Sequence, residues 1–114
     1  MTVPDPVAVA RRYVALSNAH DLDAIFPLLA EDAVYHSDNV GSYEGRAAIA
    51  AMMTAFFAAR PDVSWEVAEY RAVPPDGAEF DFVAHAGGAT RRGRERIFLG
   101  PAGLIRRVDV AAGA

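Results

Sequence analysis

The change of hydrophobic period near residue 60 constrains this chain more than any other feature. Upstream, apolar residues recur at steps of three and four; downstream they alternate one by one. DVSWEVAEYRAV alternates through Val63, Trp65 and Val67, PPDG turns the chain, and AEFDFVAHA alternates again through Phe80, Phe82, Ala84 and Ala86. A long strand over about 90–99, the GPAG turn and LIRRVDV to about Val110 complete four consecutive strands joined by tight turns. Strands in such a run pair as neighbours in an antiparallel sheet.

The upstream half reads as helical with one interruption. Asp5 before Pro6 is a helix start, because the carboxylate accepts from a free amide and proline has no N–H to lose there. The helix runs to about residue 19 with Val9, Ala10, Tyr13, Val14 and Leu16 on its apolar stripe. Asp21 caps a shorter second helix to about Ala30, which Pro27 bends or shortens. Residues 33–38 form a first strand, NVGSYEGR a loop, and residues 46–59 a third helix with Ile49, Met52, Met53, Phe56 and Phe57 on one broad face. Three N-terminal helices on one face of a curved, mainly antiparallel sheet make an α+β fold. A strongly twisted sheet around a long helix leaves a conical hollow suited to a ligand.

The 114 residues fit one domain, 1–114, and a hydrophobic share of 53% leaves apolar surface for a lined pocket or a subunit interface. A net charge of −4 argues against nucleic acid and anionic membranes as partners. The basic cluster RRGRER at 91–96 reads as an exposed strand edge blunted by charge. All eleven basic residues are arginine, and cysteine is absent. Lysine Schiff bases, cysteine nucleophiles, thiolate zinc sites and disulfides are thereby excluded, leaving Asp, Glu, His, Tyr and Ser for chemistry. MTVPDPVAVARRY lacks the pattern of a signal peptide, so a soluble cytoplasmic protein is expected. GRAAI opens a helix without the glycine spacing of a phosphate or dinucleotide cradle, so no cofactor is expected. His36, His85 and a carboxylate match no metal-ligand spacing; His85, out of phase with Phe80 and Phe82, belongs on the outer face, and His20 in a turn.

DAVYHSDNVG, residues 32–41, crowds Tyr35, His36, Ser37 and Asp38 where apolar alternation is due. His36 and Asp38 share one face of the strand and suit a base with an orienting carboxylate; Tyr35 and Ser37 share the other and would line a pocket with hydroxyls. Strand phase decides between the two pairs, and one sequence does not fix it. Phe56, Trp65, Phe82, Val108 and Val110, with Tyr35, are the candidate wall of the hollow.

RRYVALSNAHDLDAIFPLLAEDAVYHSD, GRAAIAAMMTAFF and GLIRRVDV together resemble the SnoaL-like branch of the nuclear transport factor 2-like superfamily, which includes ketosteroid isomerases. The resemblance runs from about Val7 to Val110 and implies a cone-shaped α+β barrel. It places Tyr13 at the position of an oxyanion-binding tyrosine. A general-base aspartate falls on Ser37 in an ungapped alignment, with Asp38 one place further on. Glu95 stands for a second oxyanion donor, a protonated carboxylic acid, with Ile97 and Leu99 on its strand face to supply an apolar setting. Met53 replaces a supporting tyrosine.

The resemblance implies a cofactor-free isomerase or cyclase acting by proton transfer next to a carbonyl. Tyr13 would hold the oxygen, His36 or Asp38 would move the proton, and Glu95 would donate or orient. The partner would be a small apolar molecule, polycyclic or carbonyl-containing, and the outer sheet face would serve a homodimer. The other reading is a non-catalytic small-molecule-binding or scaffold module.

Overall fold

In the computed structural model, which describes residues 5–113, three helices lie against one face of a seven-stranded sheet. Helix α1 spans Pro6–Asn18, with the Asp5 carboxylate accepting from the Val7 N–H. Helix α2, Leu22–Ile25, is capped by Asp21 and tightens into a 3₁₀ turn over Phe26–Leu28 that accommodates Pro27. Helix α3 spans Arg46–Ala59 and buries Ile49, Met52 and Met53. The strands are β1 Leu29–Ser37, β2 Gly41–Glu44, β3 Ser64–Glu66, β4 Tyr70–Val73, β5 Gly77–Ala86, β6 Ala89–Leu99 and β7 Ile105–Ala112. Their order is β2-β1-β7-β6-β5-β3, with β4 also on β5. Every pair is antiparallel except β1 with β7, and the sheet does not close on itself.

Four details differ from the sequence expectation. The second helical segment ends at Leu28, and β1 starts at Leu29, fully buried opposite Ile105. The segment 39–46 is a hairpin, because β2 pairs back on β1 with Tyr43 opposite Tyr35. DVSWEVAEYRAV is two strands: Glu66 faces Val83 and Tyr70 faces Phe80, four residues against three, so one extra residue forms a bulge. That bulge lets Trp65 and Tyr70, five apart, both face the helices. RRGRER is not an edge, since β6 lies between β5 and β7. Arg94 and Arg96 instead project from the outer face, with Arg94 Nε 2.8 Å from Asp81 and Arg96 paired to Glu79.

The core lies between the concave face of the sheet and α1 to α3. Phe80, Ile25, Leu29, Ile49, Ile97, Ile105 and Val108 are its largest fully buried side chains. The outer face is polar: Arg71 Nη2 sits 2.8 Å from Glu79, and Arg107 Nε 2.9 Å from Asp109. His85 is there too, 3.0 Å from Glu66. His20, in the left-handed region at φ 57°, follows α1 and donates to the Val63 carbonyl at 2.6 Å while stacking on Phe57. No helix among the described residues is long and apolar enough to cross a membrane.

Candidate active site

Register across the sheet assembles the site. On the concave face Ser37 pairs with Val110, Val110 with Glu95, Glu95 with Phe80, and Phe80 with Tyr70. The next row inward is Tyr35, Val108, Ile97 and Ala78. Tyr13, on the buried stripe of α1, faces these rows, as does Ser17 one helical turn later. The walls enclose a cavity of about 880 Å³. Tyr13, Tyr35, Ser37 and Glu95 line its buried end; Phe56, Trp65 and Phe82 line its flanks, and Arg60 and Arg91 its exposed rim.

Glu95 is the group whose chemistry the fold changes most. It is 8% exposed and has no cationic neighbour, and its Oε2 has no protein hydrogen-bond partner. Burial pushes its pKa up to about 8, so the acid is mostly neutral at pH 7. Neutral, it keeps an O–H to donate. Burial, followed by the charge Glu95 carries when ionised, also raises the pKa values of Tyr13 and Tyr35. Both phenols therefore stay protonated donors.

Strand phase turns Tyr35 and Ser37 inward, and His36 and Asp38 outward. His36, about half exposed, holds Ser42 Oγ at 2.7 Å through Nδ1 and lies 3.5 Å from Asp38. The Asp38 carboxylate accepts the Ala112 N–H at 3.1 Å and so extends the β1–β7 ladder beyond Ser37. The expected pairing of His36 and Asp38 is real, but it forms outside the cavity. Ser37 Oγ accepts the N–H groups of Asn39 at 3.2 Å and Val40 at 3.3 Å. Its lone pairs are thus engaged and its own proton is left to donate.

The aromatic wall contains Phe56, Trp65, Phe82 and Val110 as expected positions, while Val108, 1% exposed, lies in the core and does not reach the cavity. Sequence reasoning passed over Ser17, which also lines the cavity and donates to the Tyr13 carbonyl at 2.7 Å. Its spacing of four from Tyr13 was the available signal. It also missed the division of the arginine cluster, which required knowing where β6 ends at the rim. No group of three or more His, Asp or Glu side chains among the described residues could hold a metal ion.

The sequence profile of the SnoaL-like domain matches residues 10–96. The chain belongs to the SnoaL-like family. Its fold is the nuclear transport factor 2-like one, shared with solved structures at low identity. SalBIII, an epoxide hydrolase/cyclase-like enzyme of pyran ring formation in the polyether salinomycin, is 21% identical with a TM-score of 0.81, over 93% of this chain and 88% of that one. A putative ketosteroid isomerase from Kribbella flavida is 24% identical with a TM-score of 0.79, over 96% and 78%. A computationally designed 17-OHP binder is 20% identical with a TM-score of 0.76, over 95% and 90%. No curated protein matches the sequence.

Proposed function

We propose that this SnoaL-like protein takes a small apolar molecule bearing a carbonyl or similar oxygen into the cavity and moves a proton on it without a cofactor, as an isomerase or cyclase does. Tyr13, Tyr35 and Ser37 hold the oxygen as donors, and Glu95 moves the proton. His36 and Asp38, candidates for that step in the sequence, face away from the cavity, and Ser37 at the expected base position has no lone pair to spare. The observation that carries the proposal is the unpartnered, neutral Glu95 carboxyl facing an apolar cavity beside two phenols. A group with a pKa near 8 gives and takes a proton readily near neutral pH. Donors held in a dry site stabilise charge that develops on a carbonyl oxygen. The protein acts as a homodimer through its outer sheet face in this reading.

A second reading, ligand binding without chemistry, is favoured by a separate observation. Glu95 stands alone: among the described residues the only other carboxylate lining the cavity, Asp62 at the rim, accepts the Gly87 N–H at 3.0 and 3.2 Å.

One experiment separates the two. Purified protein is screened by thermal shift against apolar ketones, enones and epoxides, and each stabilising compound is then incubated in D₂O and followed by NMR. Deuterium uptake next to the carbonyl, or ring formation, that disappears in Glu95→Gln supports proton transfer. Stabilisation without exchange or turnover supports binding alone. Failure of every compound to stabilise the protein removes both readings.

A further inference from the structure

The rim of the cavity carries positive charge that no carboxylate offsets. Arg60 and Arg91 line the exposed end against one aspartate, Asp62, in a chain whose net charge is −4. Both Asp62 oxygens are turned to the Gly87 N–H. Neither guanidinium group has a carboxylate within ion-pair distance among the described residues. On the outer face the pattern is the reverse: Arg71, Arg94, Arg96 and Arg107 each lie against Glu79, Asp81 or Asp109. These four outer-face arginines are neutralised by carboxylates, whereas the two at the cavity's opening are not.

Arg60 is also positioned. Its guanidinium carbon stands 4.3 Å from the centroid of Phe56, whose ring lines the same cavity. Stacking on the ring face fixes the plane of the guanidinium and leaves its edge N–H donors free. Arg91 projects from β6 on the side that carries Glu95, two pairs of residues further out along the strand. An opening lined by one sign of charge concentrates ligands of the other sign and orients them as they enter.

We propose that the ligand is an amphipathic anion. Its apolar body fills the aromatic part of the cavity, and a terminal oxyanion, carboxylate or phosphate, is held at the rim by Arg60 and Arg91. This inference rests on the pocket reading above and adds the class of molecule that the pocket selects. The inner end offers a neutral acid and hydroxyl donors, which suit an uncharged oxygen; the outer end offers unpaired cations, which suit a charged one. The two ends therefore fix the direction in which the molecule enters.

The test uses Trp65, the single tryptophan of the chain and part of the cavity wall, as a fluorescent reporter. Three probes are titrated at low salt: a keto-steroid with a side-chain carboxylate, its methyl ester, and a matching phosphate monoester. The expected result is that one or both anions bind about tenfold more tightly than the ester, an advantage that shrinks as salt is raised. The double variant Arg60→Gln, Arg91→Gln should erase the advantage and leave the ester's affinity unchanged, which a disrupted pocket would not do. A stronger response to the phosphate than to the carboxylate would assign the head group as phosphoryl, and the opposite order as carboxylate. An ester that binds as tightly as both anions overturns the anion inference and leaves the pocket reading standing. No response to any probe removes the pocket reading as well.

Discussion

Glu95 and Ser37 lie on one row of the concave sheet face, separated only by Val110. Apart from the Tyr70 phenol at its far end, the row therefore carries one ionisable group, Glu95, and one hydroxyl, Ser37, whose lone pairs are already taken. What the site can do with a proton reduces to the state of Glu95, and the fold bears a cost for keeping that residue where it is.

The cost appears in the pH dependence of stability. Burial raises the pKa of Glu95 to about 8 from the ordinary 4.5. Below the lower value the residue is neutral whether folded or not, and its burial is then least costly. Between the two values the unfolded chain releases a proton that the folded protein keeps, so stability falls as pH rises, and above the upper value the loss levels off. The interval from the lower value to pH 7 corresponds to roughly 3 kcal/mol at most, less whatever the replacement amide fails to hydrogen-bond. Urea denaturation should show Glu95→Gln more stable than the native protein by about 1–3 kcal/mol at pH 7, with the difference vanishing near pH 4. Equal stability of the two proteins across that range would mean that Glu95 titrates normally.

Ser37→Asp should place a second carboxyl in the same row. Its oxygens would accept the Asn39 and Val40 N–H groups that Ser37 now accepts, and those bonds favour the ionised form. A negative charge one residue away across Val110 would hold Glu95 protonated to still higher pH. Carbon-13 NMR of the Glu95 carboxyl should show its titration moved upward relative to the native protein. If deuterium exchange into a bound ketone also rises, the missing partner of Glu95 is a base.

The architecture was legible in the sequence because its determinants are local. Asp5 with Pro6 starts α1, Asp21 starts α2, and alternation through Phe80, Phe82, Ala84 and Ala86 gives β5 with the correct face inward. Tyr13 and Glu95 were locatable from the family resemblance and do reach one cavity. The phase of β1 was not legible, because Tyr35 with Ser37 and His36 with Asp38 satisfy alternation equally well. It is decided by the register of β7, seventy residues further along, where Val108 and Val110 on the core side face Tyr35 and Ser37. The break between β3 and β4 was hidden for the same reason: only pairing with β5 reveals the extra residue.

Substitutions at His36 and Asp38 should leave the pocket intact. His36→Ala removes a partly exposed contact to Ser42, and Asp38→Ala removes the acceptor of the Ala112 N–H. The latter should cost about 0.5–1 kcal/mol in thermal or urea unfolding, the usual net worth of one exposed hydrogen bond, and the former less. Ligand affinity read from Trp65 should stay within twofold of the native value, about 0.4 kcal/mol. A tenfold loss in either variant would return that residue to the site.

Asn18 should prove more important than its position at the end of a helix suggests. Its side-chain amide donates to the Trp65 carbonyl at 2.9 Å and accepts the Trp65 N–H at 2.7 Å. The amide thus takes the place of a neighbouring strand along the free edge of β3 and ties the cavity wall to α1. Asn18→Ala removes both bonds and should cost roughly 1–2 kcal/mol. Asn18→Asp keeps the acceptor and loses the donor, so it should fall between the two. Trp65 emission should shift to longer wavelength in Asn18→Ala if the wall loosens.

Gly93 tests how the aromatic wall is built. A Cβ placed on it would stand 2.3 Å from Phe82 Cζ and 3.0 Å from the Ala111 carbonyl oxygen, so the Phe82 ring lies directly over the glycine in the space a side chain would need. Gly93 and Phe82 are opposite each other in the β5–β6 register, and the next inward-facing residue along β6 is Glu95. Gly93→Ala should therefore push the ring away from β6 and into the cavity at a cost of about 1–3 kcal/mol, with weaker binding of any ligand that fills the wall. Phe82→Leu alone should cost less than the alanine at 93, since it removes ring atoms without a clash. The two together should be less destabilising than the sum of the separate effects, because the shorter side chain makes room for the new methyl group. Strict additivity in urea denaturation of the double variant would mean that the ring is not what occupies the space above Gly93.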